Sequence, residues 1–170
     1  MTAPAAPVVV VGVGDVGSAA GDGRLATYAL GSCLGVAVYD PVARVAGLLH
    51  AMLPESSVDP ARAARTPAMF VDTGVPLLLR DCARLGARRE RLVARLAGGA
   101  FAADHETADH FRIGRRNLAA ARAALAGYGV AVGAEDVGGS RVSRTLHLDA
   151  ATGLLRVQAT AAGGARRYAL

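Results

Sequence analysis

Cys33 and His50 are the side chains of this sequence whose types and spacing favour nucleophilic catalysis. Cys33 directly follows Gly31-Ser32, and His50 lies in the next hydrophobic run. The nucleophile of a catalytic cysteine is the thiolate, whereas an ordinary thiol, with a pKa of about 8.5, is mostly protonated at neutral pH. A neighbouring imidazolium lowers the thiol pKa, and the imidazole can then carry protons. The flexible Gly-Ser turn also lets backbone N–H groups converge on one point, as an oxyanion hole requires.

A β-hairpin is the element that would bring this pair together. The segments "LGVAVYD" and "VAGLLHAML" are short, rich in Val and Leu, and joined through Asp40-Pro41, which is turn chemistry. If Pro41-Val42 form a two-residue loop, Cys33 lies directly opposite His50, with Cβ atoms about 4.5–5.5 Å apart. A loop one residue longer would turn His50 to the other face. Since cysteine is often a buried core residue, spacing alone leaves a structural role open.

Around this pair the sequence predicts a single α+β domain. Two helices are indicated, one opened by Thr66-Pro67 that runs toward "LLLRDCARLGA" and one in "GRRNLAAARAALAGYG". Strands are predicted in "VVVVGV", "RLVARLAGGA" and "VAVGAEDVGG", with a further hairpin in "RTLHLDAATGLLRVQA". Successive hairpins argue against an all-parallel sheet, so we expect layered mixed and antiparallel sheets with the two main helices packed outside. The tail "GGARRYAL" is expected to fray.

A glycine motif after the first predicted strand offers a competing function. Residues 12–17, "GVGDVG", are a literal G-x-G-x-x-G, the fingerprint of dinucleotide binding. The fingerprint requires a helix directly afterwards, but Gly21, Asp22 and Gly23 would occupy its first turns, where glycine is unfavourable. We therefore expect a glycine-rich turn and no cofactor. A dinucleotide-binding domain is the less favoured alternative.

The composition and charge of the chain limit which partners and which cellular compartment we expect. With 170 residues, 52% of them hydrophobic, the chain can bury the core of one domain, spanning residues 1–170 with its central part at about 8–157. The formal charge of +5 comes from Arg without Lys, and few aromatic residues accompany the Arg clusters, which favours an anionic protein over nucleic acid as partner. The N-terminus has neither the basic start of a signal peptide nor a membrane-length apolar run. We expect a cytoplasmic protein with two free thiols and no membrane insertion.

Other residues that could do chemistry are better explained as structural. Asp104, His105, Glu106, Asp109 and His110 could ligate a metal, but the two histidines are five apart and do not share a helix face. A polar loop that binds no metal is expected there. Structural positions are also predicted for three further sites: a strand-end turn at Glu135-Asp136, the core at Cys82 and the surface at His147.

Five motifs, taken in order, resemble one family. They are "TYALGSCLGVAVYDP", the strand that ends at His50 with "AMLP" after it, "LGARRERLVARLAGGA", "IGRRN" and "AEDVGG". Together they cover most of the chain and resemble the chemoreceptor glutamine deamidases of bacterial chemotaxis, the CheD family. The resemblance implies that Cys33 is the nucleophile, that His50 is the base and that Thr27 orients it. It also implies that backbone N–H groups at Ser32 and Leu34 hold the oxyanion.

The resemblance implies a cysteine amidohydrolase that converts receptor glutamine side chains to glutamate and ammonia through a thioester. Hydrolysis of receptor glutamyl methyl esters is implied as well, because it is the same acyl chemistry with methanol leaving. The implied fold is similar to the cysteine-hydrolase catalytic domain of a glutamine-deamidating toxin. Implied partners are the cytoplasmic helices of chemoreceptors and, in many relatives, a CheC-type phosphatase. A noncatalytic chemotaxis adaptor that binds such a phosphatase is the alternative.

Overall fold

The computed structural model describes residues 6–101 and 112–170, which form ten strands and three α-helices. The strands are β1 Val8–Val10, β2 Asp15–Ala20, β3 Arg24–Leu30, β4 Leu34–Asp40, β5 Val45–Ala51, β6 Val93–Gly98, β7 Ala131–Val137, β8 Ser143–Asp149, β9 Leu155–Ala161 and β10 Gly164–Ala169. The helices are α1 Pro60–Arg65, α2 Val71–Arg84 and α3 Ile113–Gly127, with short 3₁₀ turns at Ser56–Val58, Pro67–Met69 and Arg89–Arg91. Within these described residues, no helix has both the length and the apolar character needed to span a membrane.

The strands form two five-stranded sheets. Sheet A has the order β1-β3-β8-β9-β10, and sheet B has the order β2-β5-β4-β6-β7. Each sheet contains one parallel pair, β1 with β3 in sheet A and β6 with β7 in sheet B, while its other pairs are antiparallel. The predicted α+β class with mixed sheets and two main helices is confirmed.

The protein has three layers: the helices, sheet B and sheet A. Strand β4 lies in the middle layer, and its side chains alternate between the two outer layers. Leu34, Val36 and Val38 lie in an apolar cluster with α2 and α3, on one face of sheet B. Ala37 faces the other way, into a cluster that includes Leu146 of sheet A. A strand that is covered on both faces is apolar at nearly every position, so "LGVAVYD" shows no polar alternation.

Helix α2 packs one apolar stripe on sheet B. Val71, Leu78 and Cys82 are buried on this stripe, at the spacing that one face of a helix requires. The predicted core position of Cys82 is confirmed. The helix begins at Val71 rather than at Thr66-Pro67, because Phe70 is fully buried in an extended conformation (φ −111°, ψ 142°) that separates the 3₁₀ turn from the helix.

The C-terminal residues form the edge strand β10, so the prediction of a frayed tail is wrong. They pair with β9 from Gly164↔Ala161 to Ala169↔Arg156. The Leu170 N–H also donates to the Leu155 carbonyl over 2.8 Å. These backbone bonds tie the chain end to sheet A although most side chains of β10 are exposed.

The glycine motif lies between two strands. After β1 the chain turns at Gly14, whose φ of 73° is left-handed, and continues as β2 rather than as a helix. Because a dinucleotide fingerprint needs the helix N-terminus for its pyrophosphate, the segment does not have that fold. The predicted glycine-rich turn is confirmed. The Gly14 N–H instead donates to the His50 carbonyl over 2.8 Å, which brings this turn next to β5.

Candidate active site

The β4–β5 hairpin places Cys33 and His50 on the same face, but not directly opposite each other. Asp40 pairs with Val45, so four residues rather than two form the loop, and His50 pairs with Gly35. The predicted register is therefore wrong by two positions. Because side chains alternate with a period of two, this shift preserves the face, and Cys33 becomes the diagonal neighbour of His50.

The side chain of Asp40 accounts for the longer loop. Its Oδ1 accepts the backbone N–H groups of Val42 over 2.9 Å and Ala43 over 3.1 Å, and its Oδ2 accepts that of Arg88. The Arg91 guanidinium binds both oxygens. Burial alone would raise the pKa of Asp40, but these hydrogen bonds outweigh it and hold the pKa well below its usual range. A carboxylate that folds back on the residues after it stabilises a wider turn than the Asp-Pro pair suggests.

His50 lies between the two sheets and is only 1% exposed. Its Nδ1 is 2.7 Å from Oγ1 of Thr27, which belongs to β3 in sheet A. The Thr27 hydroxyl donates its only proton to the Val11 carbonyl over 2.6 Å. It can therefore only accept from His50, so Nδ1 carries the imidazole proton and the lone pair is on Nε2.

The free lone pair makes His50 suited to take a proton. Nε2 is buried and has no hydrogen-bond partner in the described part of the chain. Burial lowers the pKa of His50, which favours the neutral ring. Directly opposite, Gly35 contributes no side chain, and a Cβ at that position would lie 2.6 Å from the Leu146 Cδ1 atom. A neutral imidazole with an unpaired Nε2 lone pair is the form of histidine that acts as a general base.

Cys33 lies just before β4 and is partly exposed. Burial raises the pKa of its thiol, and the contact with its own backbone N–H only partly counters this. The sequence predicted a thiol pKa lowered by an imidazolium. Both groups are favoured in their neutral forms, and no hydrogen bond joins the Cys33 thiol to His50 Nε2. The arrangement instead fits a thiol that loses its proton to His50 only as it attacks.

The segment that carries the thiol is held through three successive carbonyls. The Gly31 carbonyl accepts the Ala100 N–H over 2.9 Å, and the Cys33 carbonyl accepts the Gly99 N–H over 2.8 Å. Between them, the Ser32 carbonyl accepts Nδ2 of Asn117, a buried side chain of α3, over 3.1 Å. Loop and helix therefore fix each peptide plane in this segment, as a preorganised site requires.

The hydrogen bonds between β4 and its neighbouring strands leave only some backbone N–H groups available to bind an oxyanion. Leu34 is fully buried and pairs with Ala51, while the neighbouring pair is Gly35 with His50. Since the Gly99 N–H donates to the Cys33 carbonyl, alternation in an antiparallel ladder turns the Leu34 amide toward β5, where Ala51 accepts it. Leu34 therefore does not fit the predicted role. The amide of Cys33, which lies beside its own thiol, and that of exposed Ser32 are the better candidates.

An ion pair joins the two sheets near this segment. Arg144 of β8 is nearly buried, and its guanidinium binds both oxygens of Asp136 in β7 over 3.0 Å. The hydroxyl of Tyr168 binds the same carboxylate. Burial raises the pKa of Asp136, but these partners outweigh it and keep the pKa below its ordinary value. Arg144 also donates to the Gly138 carbonyl, and the Gly138 N–H donates to the Gly98 carbonyl beside the Cys33 loop.

Sequence reasoning assigned Asn117 no role. The available signal was its place on the apolar face of α3, four and eight residues before the buried Ala121 and Leu125. An amide on such a face must satisfy its polar atoms from neighbouring segments.

The remaining predicted sites have structural explanations or lie outside the described residues. The turn predicted at Glu135-Asp136 is wrong, because both residues lie within β7 and pair with β6. Glu135 pairs with Arg122 of α3, and Asp136 belongs to the ion pair just described, so both carboxylates have structural partners. His147 is on the surface, as predicted, with its ring edge-on to Tyr28. The possible metal ligands at residues 104–110 fall outside the described residues.

Comparison with known proteins shows the family of the chain. The family description "CheD chemotactic sensory transduction" matches residues 52–159. A protein of Solibacter usitatus named probable chemoreceptor glutamine deamidase CheD is 47% identical over 152 residues, which is 88% of each chain. The chain belongs to the CheD family. A Pyrococcus abyssi CheD protein with the same name is 43% identical, over 91% of this chain and 93% of its own, and the Syntrophus aciditrophicus protein CheD 1 is 44% identical over 89% and 94%. Alignments of this length to CheD proteins necessarily include the segment from Thr27 to His50.

Proposed function

We propose that this chain is a cysteine-dependent protein-glutamine deamidase that acts on chemoreceptors. One observation carries the proposal: Thr27 holds the proton of His50 on Nδ1, which leaves a buried Nε2 lone pair on the strand face that Cys33 shares. The names of the CheD relatives supply the substrate, a glutamine of a chemoreceptor. Geometry and relatives thus support the same amide hydrolysis.

In the first half of the proposed reaction, Cys33 Sγ attacks the carboxamide carbon of a receptor glutamine as the thiol proton passes to His50 Nε2. The C=O electron pair moves to oxygen, and the backbone N–H of Cys33 stabilises the resulting oxyanion. When the oxyanion collapses, the C–N bond breaks and His50 returns the proton to the departing nitrogen. Ammonia leaves and a Cys33 thioester remains.

In the second half, water attacks the thioester carbon while His50 Nε2 accepts one of its protons. Collapse breaks the C–S bond, the thiolate recovers its proton from His50, and the receptor side chain is now glutamate. A glutamyl methyl ester could follow the same course, with methanol in place of ammonia. Each step uses only groups that the chain, the substrate and water contain.

The proposal extends to the setting of the reaction. The whole chain, residues 1–170, acts as one deamidase domain, and its substrates are the cytoplasmic helices of chemoreceptors, which implies a cytoplasmic enzyme. Binding of a CheC-type phosphatase belongs to the same proposal. The reaction needs no cofactor.

The direct test is incubation of the purified protein with a chemoreceptor cytoplasmic fragment, followed by peptide mass spectrometry. We expect specific glutamines to acquire the mass of glutamate with wild-type protein, and no conversion with Cys33→Ser or His50→Ala. Cys82→Ser, which alters the other thiol, is the matched control and should retain activity. Conversion by Cys33→Ser would overturn the mechanism. Binding of the fragment without any conversion would favour the noncatalytic adaptor.

A further inference from the structure

Asn117 is a buried amide that makes an unusual set of contacts. It is 0% exposed, and its Nδ2 donates to the Ser32 carbonyl over 3.1 Å and to the Met52 carbonyl over 3.0 Å. Its Oδ1 is buried without a hydrogen-bond partner among the described residues. An unsatisfied buried acceptor opposes folding, and the two donated bonds offset this cost by satisfying two backbone carbonyls. The two donated bonds are therefore the contribution that distinguishes this side chain.

These bonds join the two segments that carry the reacting groups. Ser32 precedes Cys33, and Met52 lies two residues beyond His50, just past the end of β5. Since a single nitrogen binds both carbonyls, their oxygens are within about 6 Å of each other. The first turn of α3 also packs on the adjoining loop, because a Cβ at Gly114 would lie 2.5 Å from the Gly99 carbonyl oxygen.

The bond to Ser32 has a directional consequence for Cys33. The Ser32 carbonyl and the Cys33 N–H belong to one planar trans peptide unit, so they point in opposite directions. By holding the carbonyl toward α3, Asn117 turns the Cys33 N–H away from the helix, and that N–H lies at the Cys33 thiol. A donated bond at the carbonyl also polarises the peptide and strengthens its N–H as a donor.

We propose that Asn117 is a positioning residue that aims the backbone N–H of Cys33 at the oxyanion of the acyl-transfer reaction. The inference rests on the proposed cysteine chemistry but not on the identity of the substrate. Because the oxyanion exists only in the transition state and the tetrahedral intermediate, loss of Asn117 lowers kcat and leaves KM nearly unchanged.

Two electrophilic reagents that react with the Cys33 thiol test the proposal. In acylation by p-nitrophenyl acetate, Sγ bonds to the carbonyl carbon, an oxyanion forms, and the C–O bond then breaks to release p-nitrophenolate while His50 takes the thiol proton. In alkylation by iodoacetamide, the S–C bond forms as the C–I bond breaks, His50 takes the thiol proton, iodide leaves, and no oxyanion develops. We expect Asn117→Leu to slow Cys33 acylation by about tenfold or more, as loss of an oxyanion donor does, and to leave the alkylation rate unchanged.

Controls separate positioning from folding. Leu125→Ala, a fully buried position on the same helix without a bond to the loop, should lower the melting temperature and leave both rates of the folded protein unchanged. Cys33→Ser provides the background rate for each reagent. If Asn117→Leu does not fold, Asn117→Ala removes the same donor with less bulk and is measured instead.

The outcomes are distinct. Equal slowing of acylation and alkylation would mean that Asn117 only keeps the loop folded, and no slowing of either would remove it from the site; both overturn the inference. Selective slowing of acylation supports it. A further outcome is that Asn117→Leu slows acylation selectively while the wild-type protein leaves every receptor glutamine unchanged. In that case the inference stands and the proposed substrate is wrong.

Discussion

Thr27 and His50 belong to different sheets, yet Oγ1 of Thr27 lies 2.7 Å from Nδ1 of His50. The bond crosses the layer between the sheets, and the Val11 carbonyl fixes its direction by taking the only hydroxyl proton. The tautomer of His50 is therefore determined by how sheet A packs on sheet B.

Thr27→Val should impair catalysis while keeping the shape of the side chain. The Val11 carbonyl and His50 Nδ1 lose their partner, and a buried unsatisfied group costs about 1–3 kcal/mol. The imidazole is also released from its tautomer, so we expect kcat to fall by roughly 100-fold, within the range that general base catalysis contributes. Thr27→Ser retains the hydroxyl and should keep most of the activity. Steady-state kinetics and thermal unfolding of the two variants measure these effects, and a fully active Thr27→Val would show that Thr27 does not set the tautomer.

The pH dependence of kcat/KM should report a neutral base. Burial lowers the pKa of His50, and the neutral ring is the form that accepts a proton. Activity should therefore persist as pH falls through about 6.5, the ordinary histidine value, and decline only at lower pH, where the folded protein binds the proton. A pH profile of kcat/KM for deamidation, measured at constant ionic strength from about pH 5 to pH 8, checks this. An acid limb centred above the ordinary value would indicate an imidazolium in the free enzyme.

The two thiols should differ in reactivity for a reason other than a low pKa. Burial raises the pKa of Cys33, and burial together with the charge of Asp81 raises that of Cys82 to about 12. We expect iodoacetamide to modify Cys33 first, because it is partly exposed whereas Cys82 is fully buried. The Cys33 rate should keep rising with pH beyond neutrality. Peptide mapping of the alkylated protein measures both sites, and a Cys33 rate that is already maximal at acidic pH would restore the thiolate–imidazolium pair.

Gly98→Ala should damage the site more than an equally strained substitution elsewhere. Gly98 has a φ of 116°, and a Cβ there would collide with the Cys33 carbonyl. Gly86 has a φ of 97° with nothing within 4 Å of a Cβ, so it is the matched control. Both alanines should cost about 1–2 kcal/mol in backbone strain, but only Gly98→Ala should also lower kcat, by about tenfold or more through displacement of Cys33. Melting temperatures and kinetics compare them, and equal activity in the two variants would contradict this role for Gly98.

The hairpin and its shared face could be predicted from the sequence, because two apolar runs around a turn leave few alternatives. Its register could not, since the four-residue loop depends on Asp40 binding the backbone of Val42 and Ala43. The neutral state of Cys33 was also beyond sequence reasoning, because burial depends on what packs over the strand.

Contacts between residues that are distant in sequence could not be predicted either. Thr27 was implied by family resemblance alone, because no local pattern shows that a residue of sheet A meets one of sheet B. Asn117 was missed for the same reason: its partners lie 65 and 85 residues away in sequence. The edge strand β10 was read as a loose tail because its exposed side chains hide a ladder that only β9 provides.

The pairing of β3 with β8 has a consequence for synthesis. Thr27, Cys33 and His50 all leave the ribosome early, but Thr27 is seated in its sheet opposite Leu146, near the other end of the chain. A half-translated polypeptide thus contains every proposed reacting group but lacks β8, the strand that pairs with Thr27. We therefore expect the complete site to assemble only after the last strands have emerged from the ribosome.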